Sequence, residues 1–244
     1  MRLLFDADII AFKAAAATEQ PINWGDGIWT LHGYEQDVID HAMSYMQGVA
    51  DKLDTQDVLL FLTGANNWRK DILPSYKSNR KDTRKPLMLP FIRQFMVDSL
   101  GAIIVDTFEA DDLLGIEATS TGDCIIVSED KDLKTIPAMV YNPQKDDAPV
   151  LIPEFTAAWN HMFQTLTGDS TDGYSGCPKV GPVAAKKILQ DIDQVEDLWP
   201  AVVAAFKKQN LSEEVALQQA QVARICHASD FNNETGKVIP WTPS

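Results

Sequence analysis

Residues 124–132 read Cys124-Ile125-Ile126-Val127-Ser128-Glu129-Asp130-Lys131-Asp132. Four apolar, mostly β-branched residues followed at once by acids describe a strand buried on both faces that runs into an acidic turn. The same pattern opens the chain in Leu3-Leu4-Phe5-Asp6-Ala7-Asp8, and Ile103-Ile104-Val105 leads into Glu109-Ala110-Asp111-Asp112. Two further apolar runs, Val58 to Thr63 and Met139 to Asn142, alternate with helical periodicity over Tyr34–Leu53, Leu87–Leu100 and Glu109–Ala118. That alternation predicts an α/β fold with a parallel sheet. Ligands of such sheets bind outside the carboxyl ends of the strands. Acids from three strand ends therefore converge on one edge, where their repulsion is costly unless divalent cations neutralise it. With no His or Cys nearby, hard ions of the magnesium or manganese type fit and zinc does not.

Each acid also has a plainer reading. Asp8 is expected to cap the helix that begins near Ile9. Glu109, Asp111 and Asp112 suit a helix N-terminus, and Asp130 and Asp132 suit a turn. The conjunction at three independent strand ends favours a metal site.

Beyond residue 150 the periodicity is helical in Glu154–Leu166, Pro182–Leu189, Val195–Lys208 and from Ser212 to about His227. With no linker rich in Gly, Ser or Pro, residues 1–150 read as an α/β core and 151–244 as an all-helical region packed on it. Between its first two helices lies Gly168-Asp169-Ser170-Thr171-Asp172-Gly173-Tyr174-Ser175-Gly176-Cys177-Pro178-Lys179-Val180-Gly181. Gly173, Gly176 and Gly181 permit tight turns, and exposed N–H groups ahead of Lys186 and Lys187 would clamp a phosphate backbone.

Composition bounds the function. At 244 residues, 45% hydrophobic and 23% charged, the chain is globular rather than fibrous or disordered. No apolar run reaches the ~18 residues of a membrane helix, and a cytoplasmic location is expected. Cys124, Cys177 and Cys226 are far apart and read as core residues. A net charge of −14 would repel a polyanion, but it is unevenly spread. Arg69 to Arg93 holds eight Lys/Arg against two acids, and Asp106 to Asp132 holds nine acids against one lysine. Cations beside carboxylates are what a metal-dependent phosphodiester enzyme needs, although most charge runs are solvated surface.

In order, the stretches FDAD, NWRKDILPSYKSNRK (67–81), EADD (109–112), SEDKD (128–132) and GDSTDGYSGCPKVGPVAAKKIL (168–189) resemble the 5′ nuclease superfamily. The resemblance is strongest to short phage-encoded 5′-to-3′ exonucleases, relatives of flap endonucleases. It implies a PIN-like parallel-sheet core with helices on both faces, a C-terminal helical region with a helix-three-turn-helix element, and hydrolysis of DNA by two divalent ions, Mg2+ or Mn2+. By that likeness Asp6, Glu109, Asp111 and Asp112 would surround one ion, and Asp130, Asp132, Asp169 and Asp172 the other. Lys77 and Arg80 would face the scissile phosphate, with Arg69 and Lys81 on the DNA backbone. Tyr76 would stack on a terminal base; Trp68 suits either stacking or the core. Gly176, Lys179, Gly181 and Lys186 would grip duplex phosphates, in relatives with a potassium ion.

Two departures stand out. Relatives carry an aspartate after the second strand where this chain has Gly64, and many have glycine where Lys179 stands. The implied substrate is duplex DNA with a 5′ end, a flap or an RNA primer, handled by a monomer. The short segment Lys81 to Pro90 favours exonuclease action over threading of a flap. Two rivals remain: a haloacid dehalogenase-type phosphatase, which needs a strand before the later acidic pair, and a branched-DNA-binding protein without catalytic metals.

Overall fold

The computed structural model describes residues 1–79 and 84–243. Its elements run β1 (Arg2–Asp6), α1 (Ala7–Ala17), β2 (Gln20–Asn23), β3 (Trp29–His32), α2 (Glu35–Lys52), β4 (Val58–Thr63), α3 (Arg69–Ile72), α4 (Leu89–Leu100), β5 (Ile103–Val105), α5 (Ala110–Thr121), β6 (Cys124–Val127), β7 (Met139–Tyr141), β8 (Val150–Leu151), α6 (Glu154–Thr167), α7 (Pro182–Leu189), α8 (Val195–Lys208), α9 (Glu213–Ala223), β9 (Phe231–Asn232) and β10 (Lys237–Val238). A 3-10 turn occupies Lys131–Thr135.

The central sheet has the order β5-β4-β1-β6-β7-β8. Every pairing from β5 to β7 is parallel, and β8 closes one edge antiparallel. Alternating side chains divide the apolar residues between two cores, as the two-residue period of a strand requires. Leu3, Phe5, Leu60, Leu62, Ile125 and Val127 pack with buried residues of α1, α2 and α4. Leu4, Phe61, Ile126 and Val140 pack with α5 on the other face, together with Ala157 of α6 and with Ile225 and Cys226 beyond α9. Helices thus cover both faces, as the sequence implied, and the second half of the chain seals one of them. The helices α6 to α9 enclose a third core around Leu166, Leu189, Val202 and Phe206. All three cysteines are buried and free.

Three local expectations are corrected. Asp6, not Asp8, caps α1: its carboxylate accepts the Ile9 N–H at 3.3 Å. The region beyond 151 is not wholly helical, since β9 and β10 form a short antiparallel pair. Residues 20–32, for which the sequence suggested no element, form the antiparallel ribbon β2–β3, with Trp24 and Trp29 exposed. Among the described residues no helix is long and apolar enough to cross a membrane.

Candidate active site

The carboxyl ends of β1, β4 and β6, the start of α5 and the loop after α6 surround a cleft of about 750 Å³. Seven carboxylates named from the sequence line it: Asp6, Glu109, Asp111, Asp130, Asp132, Asp169 and Asp172. Asp6 ends β1 and is nearly buried; Ser128 Oγ donates to it at 3.0 Å. Asp130 accepts the Asp132 N–H at 2.8 Å and so caps the 3-10 turn. Gln164 Nε2 of α6 donates to Asp132 at 2.7 Å, tying the helical half to the strand end. Asp169 accepts the N–H of Thr171 at 2.6 Å.

Burial first, and then mutual repulsion, shifts these acids. Burial pushes Asp6 up to about 6, with the charges of Asp130 and Glu129 adding to it. Burial also raises Asp111 well above the usual carboxylate range, and Asp6, Asp130 and Glu109 push the same way. Asp132 rises to about 6, again chiefly by burial, then through Asp130, Asp169 and Asp172. Asp6, Glu109 and Asp111 therefore form one group and Asp132, Asp169 and Asp172 another, with Asp130 felt by both.

The donor set fits hard divalent cations: it is all oxygen, anionic and strained by its own charge, which a cation would relieve. Among the described residues no three of these groups already close into a cage. Instead, basic side chains hold some of them. Lys77 Nζ ion-pairs with Glu109 and lies 3.6 Å from Asp172, so it stands between the two groups. Burial alone would raise Glu109, but Arg69 and Lys77 hold its carboxyl below the ordinary value.

Asp112 is corrected. It is fully buried and does not line the cleft. Arg69 grips it with two nitrogens at 2.7 and 2.8 Å, and Trp68 Nε1 and the Cys226 N–H donate at 3.0 and 3.1 Å. Two adjacent acids on a helix point about 100° apart at 3.6 residues per turn, so Asp111 meets the cleft while Asp112 faces the core. Arg69 is corrected with it, since it is buried and also donates to the carbonyls of Val222 and Arg224. It fastens α3, α5 and the end of α9 together and is not free to meet DNA.

Tyr76 also leaves the DNA-facing set. It is buried against Tyr174, Val222 and Ala223, and its hydroxyl lies 2.9 Å from Glu109 and 3.0 Å from Asp172. Trp68 takes the core alternative. Gly176 serves packing: its φ is +63°, a Cβ there would lie 2.3 Å from the Gly168 nitrogen, and its N–H donates to Gln219. Lys179, Gly181 and Lys186 are exposed around the turn into α7. Arg80 and Lys81 lie outside the described residues.

The cleft also holds Asp8, Lys85, Arg93 and Lys131, none of which the sequence had marked as site residues. For Lys85, Arg93 and Lys131 the only signal was charge within the basic and acidic runs, which does not tell a surface residue from a lining one, and Asp8 stood in the first strand-end motif but read as a helix cap.

A family model described as 5′-3′ exonuclease, N-terminal resolvase-like domain, matches residues 1–147. The chain is 28% identical to the exodeoxyribonuclease of Enterobacteria phage T3 over 99% of its length and 92% of the relative's. It is 27% identical to the exonuclease of Escherichia phage T7, over 99% and 93%. Its fold is like that of the bacteriophage T5 flap endonuclease in a pseudo-enzyme–product complex with DNA and metal ions. That likeness has a TM-score of 0.67 at 14% identity and covers 91% of this chain and 88% of the other.

Proposed function

This chain belongs to the 5′-3′ exonuclease family, and on that premise we propose that its acidic cleft hydrolyses DNA phosphodiester bonds from 5′ ends with two bound divalent ions, magnesium in the cell. The observation that supports this reading is the meeting of seven carboxylates from β1, α5, β6 and the α6–α7 loop in one cleft with Lys77 between them. Asp6, Glu109, Asp111 and Asp130 would hold one ion, and Asp130, Asp132, Asp169 and Asp172 the other. When bound, such ions make a nucleophile available at neutral pH and relieve charge on the departing oxygen.

The chain's own residues set the rest. Ser128 and the Ile9 N–H orient Asp6, and Gln164 orients Asp132. Lys77, paired with Glu109 and 3.6 Å from Asp172, would stabilise the charge that grows on the scissile phosphate in the transition state. Lys77 itself adopts φ +53°, an uncommon conformation for a residue other than glycine. Arg80 and Lys81 would extend the same basic strip.

Away from the cleft, Lys179, Gly181 and Lys186 would hold duplex phosphates at the start of α7, the second helix of a helix-three-turn-helix element. Lys179 has φ +64°, so its backbone follows the left-handed path that glycine favours, and a potassium ion bound by carbonyls of this turn belongs to the same reading. The 1–150 core then supplies Lys77 and most of the ion-holding acids, while the 151–244 region adds Asp169 and Asp172 and holds the duplex, in a monomer acting in the host cytoplasm. Digestion of duplexes labelled at the 5′ or the 3′ end, with magnesium or with EDTA, tests the proposal. The expected result is magnesium-dependent release of the 5′ label first. Release from the 3′ end, or release in EDTA, would overturn it. Blunt, flapped and RNA-primed duplexes in the same assay rank the substrates.

A further inference from the structure

The cleft contains one carboxylate more than the set above. Asp8, in the first turn of α1, lines the same cavity as Asp6. Its Oδ2 accepts the backbone N–H of Thr63 at 2.9 Å, so this carboxylate stands at the carboxyl end of β4. β4 brings no acid of its own there, because the next residue is Gly64. Nor is there room for one: a Cβ on Gly64 would lie 2.2 Å from the carbonyl oxygen of Val105 and 2.5 Å from that of Asp106. The connection from β5 to α5 fills the space a side chain would need, and the Gly64 N–H is bonded to the Phe108 carbonyl at 2.9 Å.

Resting on the reading that the cleft binds divalent ions, we propose that Asp8 is a further ion-holding carboxylate, serving the position shared by Asp6, Glu109 and Asp111 from the end of β4. Arg93 of α4 ion-pairs with Asp8 and donates to the Thr63 carbonyl at 2.6 Å. This guanidinium is a stand-in cation: it offsets the charge of Asp8 in the ion-free protein and gives way when a divalent ion competes for the same oxygen. The two roles open to the pair make opposite predictions. If the pair only braces α4 against the sheet, losing either partner weakens the fold and leaves ion binding alone. If Asp8 serves the ion, losing its charge weakens ion binding, whereas losing Arg93 removes a competitor.

The test is Mn2+ binding to the full chain without DNA, read from the free-ion EPR signal, for wild type, Asp8→Asn, Arg93→Gln and Asp130→Asn, with a thermal melt of each. Asn at position 8 keeps an acceptor for the Thr63 N–H. We expect Asp8→Asn to bind Mn2+ at least about tenfold more weakly, the usual scale for losing a group that supports a metal site. Arg93→Gln should bind more tightly than wild type, which bracing alone does not predict, so this arm decides the matter if Asp8→Asn does not fold. Wild-type Mn2+ affinity in folded Asp8→Asn, or an affinity of Arg93→Gln no higher than wild type, would overturn the proposal. If Asp130→Asn also binds as wild type, the ion reading of the whole cleft fails. If Asp130→Asn alone is weakened, only the role of Asp8 fails.

Discussion

Asp112 and Asp111 are neighbours in sequence with opposite duties, and Asp112→Asn separates them. The Asp112 carboxylate accepts from Arg69 twice, from Trp68 Nε1, from the Cys226 N–H and, at 3.3 Å, from the Glu109 N–H. Burial alone would raise its pKa, but Arg69 and these other donors hold it below the usual value. Asparagine keeps the shape, loses the charge and turns an N–H2 toward donors. Removing one partner of a buried pair costs roughly 3–5 kcal/mol. Arg69 retains Glu109 at 3.2 Å, so the lower end applies, about 3 kcal/mol. For a chain of this size that is a fall in Tm of roughly 6–12 °C. Melting in EDTA followed by circular dichroism reads the fold, and Mn2+ titration at low temperature reads the cleft. We expect the lower Tm with wild-type ion stoichiometry. A Tm within about 2 °C of wild type together with a lost ion would refute the structural role, since a shift that small is under ~1 kcal/mol.

Four further outcomes follow. Gly64→Asp should lower Tm, because its Cβ meets backbone on one side, and overpacking costs about 1–3 kcal/mol. It should also leave the magnesium midpoint of cleavage no lower, and a lower midpoint in a stable variant would contradict the packing argument. Lys77→Ala should cut the single-turnover rate by roughly 10²–10³ while DNA affinity changes little, and an effect confined to affinity would remove Lys77 from the chemistry. Asp6 has a folded pKa of about 6 against 3.8, so its neutral form is favoured in the fold; that contribution is present below 3.8 and is lost as pH rises through 6. Two pKa units correspond to about 3 kcal/mol. Urea unfolding in EDTA should show a weaker fold at pH 7.5 than at pH 5, with magnesium restoring it at pH 7.5. Replacing Lys179 and Lys186 together by alanine should weaken duplex binding and flatten its salt dependence by about two phosphate contacts, leaving the cleavage rate at saturating DNA unchanged.

Much of this was legible in the sequence because a buried parallel strand ending in acids is a two-part signal, apolar then charged, that few other structures produce. It located β1, β6, the start of α5 and the cleft acids Asp6, Glu109, Asp111, Asp130 and Asp132, whereas Asp169 and Asp172 follow a helix and were given an ion-holding role only by the family resemblance. What failed was direction. Whether Asp111 or Asp112 faces the cleft depends on Arg69, about forty residues earlier, whose burial is decided by the end of α9. Tyr76 and Lys77 adjoin in a basic run, yet one is sealed under Val222 and Ala223 and the other opens to the cleft. Gly176 has the look of a phosphate-binding glycine, and only the crossing of Gly168 shows that it is there for close packing. The ribbon β2–β3 escaped notice because its strands are four residues each, broken by Pro21, and neither face is buried enough to impose a period.

Diffraction from crystals soaked in Mn2+, with data collected at the manganese absorption edge, should show two anomalous peaks in the cleft, one among Asp6, Glu109, Asp111 and Asp130, the other among Asp130, Asp132, Asp169 and Asp172, and none beside Asp112. A cleft without peaks at saturating Mn2+, or an ion bound to Asp112, would contradict the two-ion reading of the cleft.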